Sequence, residues 1–172
     1  MAYDVYLSIE DAEGNLISEG ASGEDSIGAF AKEEHEDEIS ILELSWGMTI
    51  PTDRLTGQIT ANRRHEGLVV KKHLDSASPQ LAQCVTNPVP LTLELTFFRP
   101  ADTGEGGEPV ELYNITFEGA KVISVRVESP DMLDPDKDHM PAFEVVTFAY
   151  GSVEAEHAVC STTFADSWSA AA

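Results

Sequence analysis

Between Tyr3 and Glu10 apolar and polar side chains alternate, with Tyr3, Val5, Leu7 and Ile9 on one face and Asp4, Tyr6, Ser8 and Glu10 on the other. A period of two predicts a half-buried strand. Asp11 to Asn15 is a turn by composition. An apolar stretch carrying Ile39, Ile41, Leu42, Leu44 and Trp46 predicts a second strand that ends at Gly47. Leu68, Val70 and Leu74 predict a third, with Val69, Lys71 and His73 on its other face. Val89, Leu91, Leu93, Leu95 and Phe97 alternate with Thr92, Glu94 and Thr96 in a fourth. Residues 110–117 alternate again, Gly119 reads as a break, and 121–128 continue with Ile123, Val125 and Val127 against Val122, Ser124 and Arg126. Residues 143–150 are apolar on both faces, so that strand needs cover on both sides.

The period changes once. Ser78 suits an N-cap, Pro79 the first helical position, and Leu81, Ala82 and Val85 form an apolar stripe. Asn87-Pro88 ends this predicted helix, at about residues 79–87, after two to three turns. A helix so short is stable only when it leans on other structure. The predicted fold is therefore all-β: a β-barrel of two packed antiparallel sheets, seven or eight strands in all, with one short flanking helix.

Three segments lack strand periodicity. Residues 16–38 are rich in Gly, Ser and acid, and only Ile27, Ala29 and Phe30 suggest a short helix. A loop of this length is usually functional or mobile. Residues 48–62 hold Pro51, Gly57 and two charges, Asp53 and Arg54, among Ile50, Leu55 and Ile59. That mixture suggests an extended loop that docks, either on its own core or on another subunit. The tail, residues 159–172, has no pattern that assigns it a structure.

At 172 residues the chain fits one domain, 1–172, with long loops at 16–38 and 47–66. Ten Lys and Arg against 31 Asp and Glu leave a formal net charge of -21. Such a surface repels phosphate backbones and anionic membranes, so neither nucleic acid nor membrane insertion is expected. No apolar run reaches the roughly 18 residues of a spanning helix. Met1-Ala2-Tyr3-Asp4 has no basic segment leading into an apolar one, so no secretory signal peptide is expected. Cys84 and Cys160 are too few for a disulfide framework and read as reduced thiols, Cys84 on the buried side of the helix.

Chemistry is sparse. No phosphate loop, nucleophile elbow or His-Glu-x-x-His motif is present. His35 among Glu33, Glu34, Glu36, Asp37 and Glu38 suggests a metal site, but a solvated charge run explains it more simply. Asp131, Asp134, Asp136 and Asp138 could attract calcium, yet the Asp-x-Asp-x-Asp-Gly loop is missing and Pro130, Pro135 and Pro141 point to an extended connection. His65 and Glu66 could be drawn as an acid–base pair, although a charged strand entrance suffices. No catalytic residue, cofactor or metal is assigned. Arg63, Arg64, Lys71 and Lys72 concentrate four of the ten basic residues in one stretch.

The ordered set of segments resembles the haemolysin-coregulated protein (Hcp) family, the tube subunit of bacterial type VI secretion systems. Tyr3-Asp4-Val5-Tyr6-Leu7-Ser8-Ile9 is similar to that family's first strand, and His35 to Leu42 followed by Ser45-Trp46-Gly47 to its second. Arg63-Arg64-His65-Glu66 into Val69-Val70-Lys71, then Asp75 to Leu81, resembles its strand–turn–helix segment. Thr92 to Arg99 and Glu144 to Tyr150 match later strands.

The resemblance implies a tail-tube-like barrel in a homohexameric ring. Rings would stack into a tube assembled in the cytoplasm, then secreted by a contractile machine with its sheath, spike and effector proteins. It also implies that the loop 47–66 contacts the next ring, which makes Leu55, Ile59, Arg63, Arg64, His65 and Glu66 the candidate inter-subunit residues. Two alternatives are a tail-tube protein of a phage or extracellular contractile particle, and a monomeric ligand-binding or enzymatic barrel.

Overall fold

The computed structural model describes residues 3–101 and 107–168. Its strands, in chain order, are β1 (Asp4–Asp11), β2 (Ile39–Ser45), β3 (Met48–Thr49), β4 (Arg64–His65), β5 (Leu68–His73), β6 (Leu91–Arg99), β7 (Val110–Glu128), β8 (Phe143–Ala149), β9 (Ser152–His157) and β10 (Thr162–Ser167). Two helices, α1 (Glu24–Ile27) and α2 (Ser78–Thr86), lie between them.

Strands β6, β1, β2, β5, β8 and β7 pair in that order, and β7 returns to β6, so the sheet closes on itself. Closure leaves no edge within the ring of six strands and encloses one core. The hairpin β9–β10 extends beyond the barrel, because β9 pairs with the first part of β7 while β8 pairs with its last part. All ladders are antiparallel.

The alternation seen in the sequence becomes the core. Leu7 and Ile9 of β1, Leu91, Leu93 and Leu95 of β6, and Val146 and Phe148 of β8 are buried. Each such side chain contributes about 1.5–3 kcal/mol. Residues 110–117 and 121–128 are one strand of 19 residues, not two. Gly119 does not end it. It adopts φ +61, a left-handed conformation that costs glycine little, and the register shifts between Val122 and Ser124. The shift also changes which residues face inward: Val122 is buried, whereas Ile123 and Val127 are exposed.

Other expectations are corrected in detail. β5 ends at His73, and Leu74 is exposed. The inward position beyond Leu68 and Val70 is held by Lys72, fully buried. In α2 the cap position is Ala77, with no side-chain cap bond. Ser78 Oγ instead accepts the backbone N–H of Asp75 and a proton of Lys72 Nζ, so it closes the turn and not the helix. The buried stripe of α2 is Leu81 with Cys84, while Ala82 and Val85 face out.

The segment 16–38 is fastened along its length. Ser18 Oγ accepts the Ile9 N–H, and Ser22 Oγ donates to the Glu38 carbonyl and accepts the Ser40 N–H. Both serines are fully buried. Helix α1 and two short 3-10 turns, Gly28–Phe30 and Glu33–His35, make up much of the rest. The tail supplies β10, and residues 169–172 lie outside the described residues, as do 102–106 of the connection between β6 and β7.

Candidate functional site: a projecting arm and the polar cluster at its base

Residues 48–65 leave the barrel between β2 and β5 as an arm. Its root is the two-residue ladder of β3 and β4, Met48 opposite His65 and Thr49 opposite Arg64. Further out, Thr52 bridges Ile59, and the Thr60 N–H donates to the Pro51 carbonyl. The tip is an Asx turn: Asp53 Oδ1 accepts the N–H groups of Leu55 and Thr56, and Gly57 follows at φ +71. This hydrogen bonding holds the Asp53 carboxyl below its ordinary range.

The tip is turned to solvent. Leu55 is 95% exposed and Ile59 66%, and Ile50 is exposed beside them. Such side chains gain nothing from the barrel, and among the described residues Arg54 beside Leu55 has no ion-pair partner.

The base of the arm is the opposite in character. Alternation along β4 sends Arg63 and His65 to one side and Arg64 and Glu66 to the other. Arg63 grips Asp166 of β10 with two N–H groups, Nε to Oδ2 and Nη2 to Oδ1 at 2.6 Å. His65, buried, places Nε2 2.9 Å from Asp166 Oδ2 and Nδ1 2.9 Å from the Tyr150 hydroxyl. The Trp46 indole N–H reaches the same hydroxyl at 2.7 Å.

One proton arrangement satisfies every group. An indole N–H only donates and a carboxylate only accepts. Trp46 therefore donates to the Tyr150 oxygen, Tyr150 donates to Nδ1, and Nε2–H donates to Asp166. Trp168 stacks on His65 with ring centroids 5.8 Å apart and meets Tyr150 edge-on at 4.8 Å. The bond from Arg63 is the main reason the Asp166 carboxyl lies far below the ordinary range. The same bond raises the Arg63 guanidinium, and burial pushes the Tyr150 phenol up.

His, Asp and Tyr in hydrogen-bonded sequence resemble catalytic machinery on paper. Here the His65 side chain is fully buried and Tyr150 is 5% exposed, so the arrangement presents no reacting group to a substrate. It joins the end of β2, the root of the arm, the end of β8 and β10.

Of the sequence-derived contact residues, the structure thus leaves Leu55, Ile59, Arg64 and Glu66 on the surface and commits Arg63 and His65 within the chain. Lys71 lies 4.1 Å from the centre of the Phe143 ring and Lys72 is enclosed, whereas Arg64 faces outward and has no ion-pair partner among the described residues. Asp166, Tyr150 and Trp168 were missed because they lie 85 to 105 positions from the arm.

His35 is not a solvated charge. Its ring stacks on Tyr6 at 3.7 Å, and its Nδ1 approaches Glu38 Oε2. Burial together with Asp4, Glu38 and Glu34 pushes the Tyr6 phenol up to about 12. Among the described residues no group of three or more His, Cys, Asp or Glu is placed to hold a metal ion, the aspartates of 131–138 included. Cys84 is buried and Cys160 exposed, both free.

The family model described as "Type VI secretion system effector, Hcp" matches residues 6–157. The chain belongs to the Hcp family of type VI secretion. It is 32% identical over 169 residues to the "Major exported protein" of Pseudomonas aeruginosa, covering 98% of this chain and 96% of that one. Among solved structures it is similar to one described as an Hcp protein, with TM-score 0.89, 30% identity, and coverage of 97% of this chain and 98% of the other. The secreted protein Hcp3 of Pseudomonas aeruginosa gives TM-score 0.79 at 27% identity, covering 97% and 99%. Membership assigns the chain to the tube component of the secretion machinery, and the arm and its base are features of that Hcp barrel.

Proposed function

We propose that copies of this Hcp chain form six-membered rings that stack into the inner tube of a type VI secretion machine. The tube is assembled in the cytoplasm, enclosed by a sheath and capped by a spike, and leaves the cell with effector proteins in its lumen or at its tip. The observation that carries this reading is the arm. It projects an apolar tip, Leu55 and Ile59, away from a barrel that has no use for it, in a family whose work is assembly.

Head-to-tail contacts generate closed rings when the rotation closes and open filaments when it does not. A projecting arm that meets a different surface of the next copy would make a contact of this kind. Export of the relative in Pseudomonas aeruginosa as a "major exported protein" supports the exit from the cell. The role asks for no catalysis, and the buried polar groups at the arm's base serve position.

Negative-stain imaging of the purified protein tests the proposal. Rings with sixfold end-on views are expected, and some side views of stacks at high concentration. A monomer at every concentration would overturn it and favour a ligand-binding barrel.

A further inference from the structure

We infer that Asp166 is a positioning residue for assembly: from β10 it clasps the root of the arm and so fixes the direction in which Leu55 and Ile59 are presented. The inference rests on the reading of the arm as a contact between copies.

The arm is ordered within itself but weakly joined to the barrel. Its own turns and bridges run from Pro51 to Thr60. Its root is a ladder of two residue pairs, flanked by Gly47 and Gly67. A ladder this short does not hold a projecting hairpin in one orientation, since even a complete isolated hairpin is marginal in water. Beyond it, the Glu66 N–H donates to the Gly47 carbonyl, a bond between the two feet that leaves the arm free to pivot as a unit.

What stops the pivot is attached to other elements. Arg63 and His65 converge on one carboxylate, Asp166, through three N–H groups. A bidentate guanidinium–carboxylate pair fixes angle as well as distance. Asp166 is itself placed by the β9–β10 ladder, where it stands opposite Val153, a buried residue. Tyr150 and Trp168 fill the other sides of His65. The last strand of the chain thereby acts on an element a hundred residues earlier.

The purpose of β9–β10 follows. The barrel closes through β6, β1, β2, β5, β8 and β7 without this hairpin. Its Asp166 adds an anchor outside the ring of strands for the arm's root, beside the one Tyr150 gives at the end of β8. Arg64, on the opposite side of β4, stays free for a contact between copies.

Hydrogen exchange read by mass spectrometry, paired with the concentration dependence of self-association, tests this on the full chain. Asp166→Asn keeps the shape and removes the charge, and Arg63→Gln removes the other half of the clasp from a half-exposed site. In both variants, exchange across arm residues 48–62 is expected to rise by about tenfold or more, the factor that loss of a charged hydrogen bond allows. Exchange in β1 and β6 should rise by no more than the loss of global stability requires and by less than in the arm, and the association midpoint should move to higher concentration. A third variant, Leu55→Ser, should weaken association with arm exchange unchanged. Wild-type arm exchange in both clasp variants would overturn the inference. Faster arm exchange in the clasp variants, with wild-type association both in them and in Leu55→Ser, would instead sink the reading of the arm on which it rests.

Discussion

Lys72 of β5 and Glu144 of β8 stand opposite each other in the ladder, with Nζ 2.9 Å from Oε1 and both side chains enclosed. The ammonium has three protons and four oxygen neighbours. The His73 carbonyl, Asp75 Oδ1 and Ser78 Oγ take its hydrogen bonds, and Glu144 Oε1 is held as an ion-pair partner. The group ties β5, the following turn, the start of α2 and β8 to one buried point. It also specifies register, because a one-residue slip of β5 against β8 would turn Lys72 outward and leave Glu144 buried without its cation.

Removing the lysine is expected to be far worse than removing the pair. Lys72→Met leaves two buried carboxylates without their cation and should destabilise by about 3–5 kcal/mol. Lys72→Met combined with Glu144→Leu should recover much of that loss. Urea unfolding midpoints measure both; a double variant no more stable than the single one would refute the assignment.

Asp166 makes part of the stability depend on pH. Its folded carboxyl is depressed by the bond from Arg63, so the unfolded chain holds that proton more tightly. Its contribution is present above the ordinary carboxyl value of about 3.9 and is lost as pH falls through the lower folded value. The gap in unfolding midpoint between wild type and Asp166→Asn should therefore be widest above pH 5 and shrink steadily toward pH 2. A gap that stays constant with pH would show that the carboxylate's charge is not used.

Gly67 joins the arm to β5 where two backbones come close. A Cβ there would lie 2.9 Å from the Phe148 carbonyl oxygen of the neighbouring strand, which cannot rotate away. Gly67→Ala is expected to destabilise by about 1–3 kcal/mol, as overpacking does. Thermal unfolding checks it against Gly57→Asn at the open tip, which should be close to neutral.

In the proposed ring, six copies of a chain of net charge -21 repel strongly. Salt screens that repulsion, with a Debye length of about 8 Å at physiological strength. Ring formation should strengthen as ionic strength rises, followed by native mass measurement or light scattering across a salt series. Dissociation at high salt would mean that interface ion pairs outweigh net repulsion.

Charge reversal separates the two sides of β4. Arg64→Glu should weaken association with little change in unfolding midpoint, since that side chain faces outward. Arg63→Glu places a carboxylate against Asp166 and should loosen the arm as well. Analytical ultracentrifugation with parallel melting curves distinguishes them, and identical behaviour of the two variants would count against the division of β4 into an inner and an outer side.

The barrel strands were legible because burial on one face imposes a period of two, and β1 and β6 carry it cleanly. Helix α2 was legible from Pro79 and Asn87-Pro88, although its cap was not, since Ser78 is drawn into the turn by Lys72. Lys72 and Glu144 left a readable trace: each occupies the inward position in a strand whose other inward residues are apolar. Their charge hid them, because a charged residue in an alternating strand is ordinarily assigned to solvent. The Gly119 break failed for a different reason. A left-handed glycine can end a strand or bend it, and only the partners on either side decide.

The all-β core, the extended segment 48–62 and the strong negative charge follow from local periodicity and composition. Which basic residues are spent inside depends on contacts that only the fold creates. Arg63 and His65 find their partner in Asp166, and Lys72 finds Glu144, through pairings of strands that lie far apart in the chain. Periodicity reports which way a side chain points, and the fold alone reports what it meets there.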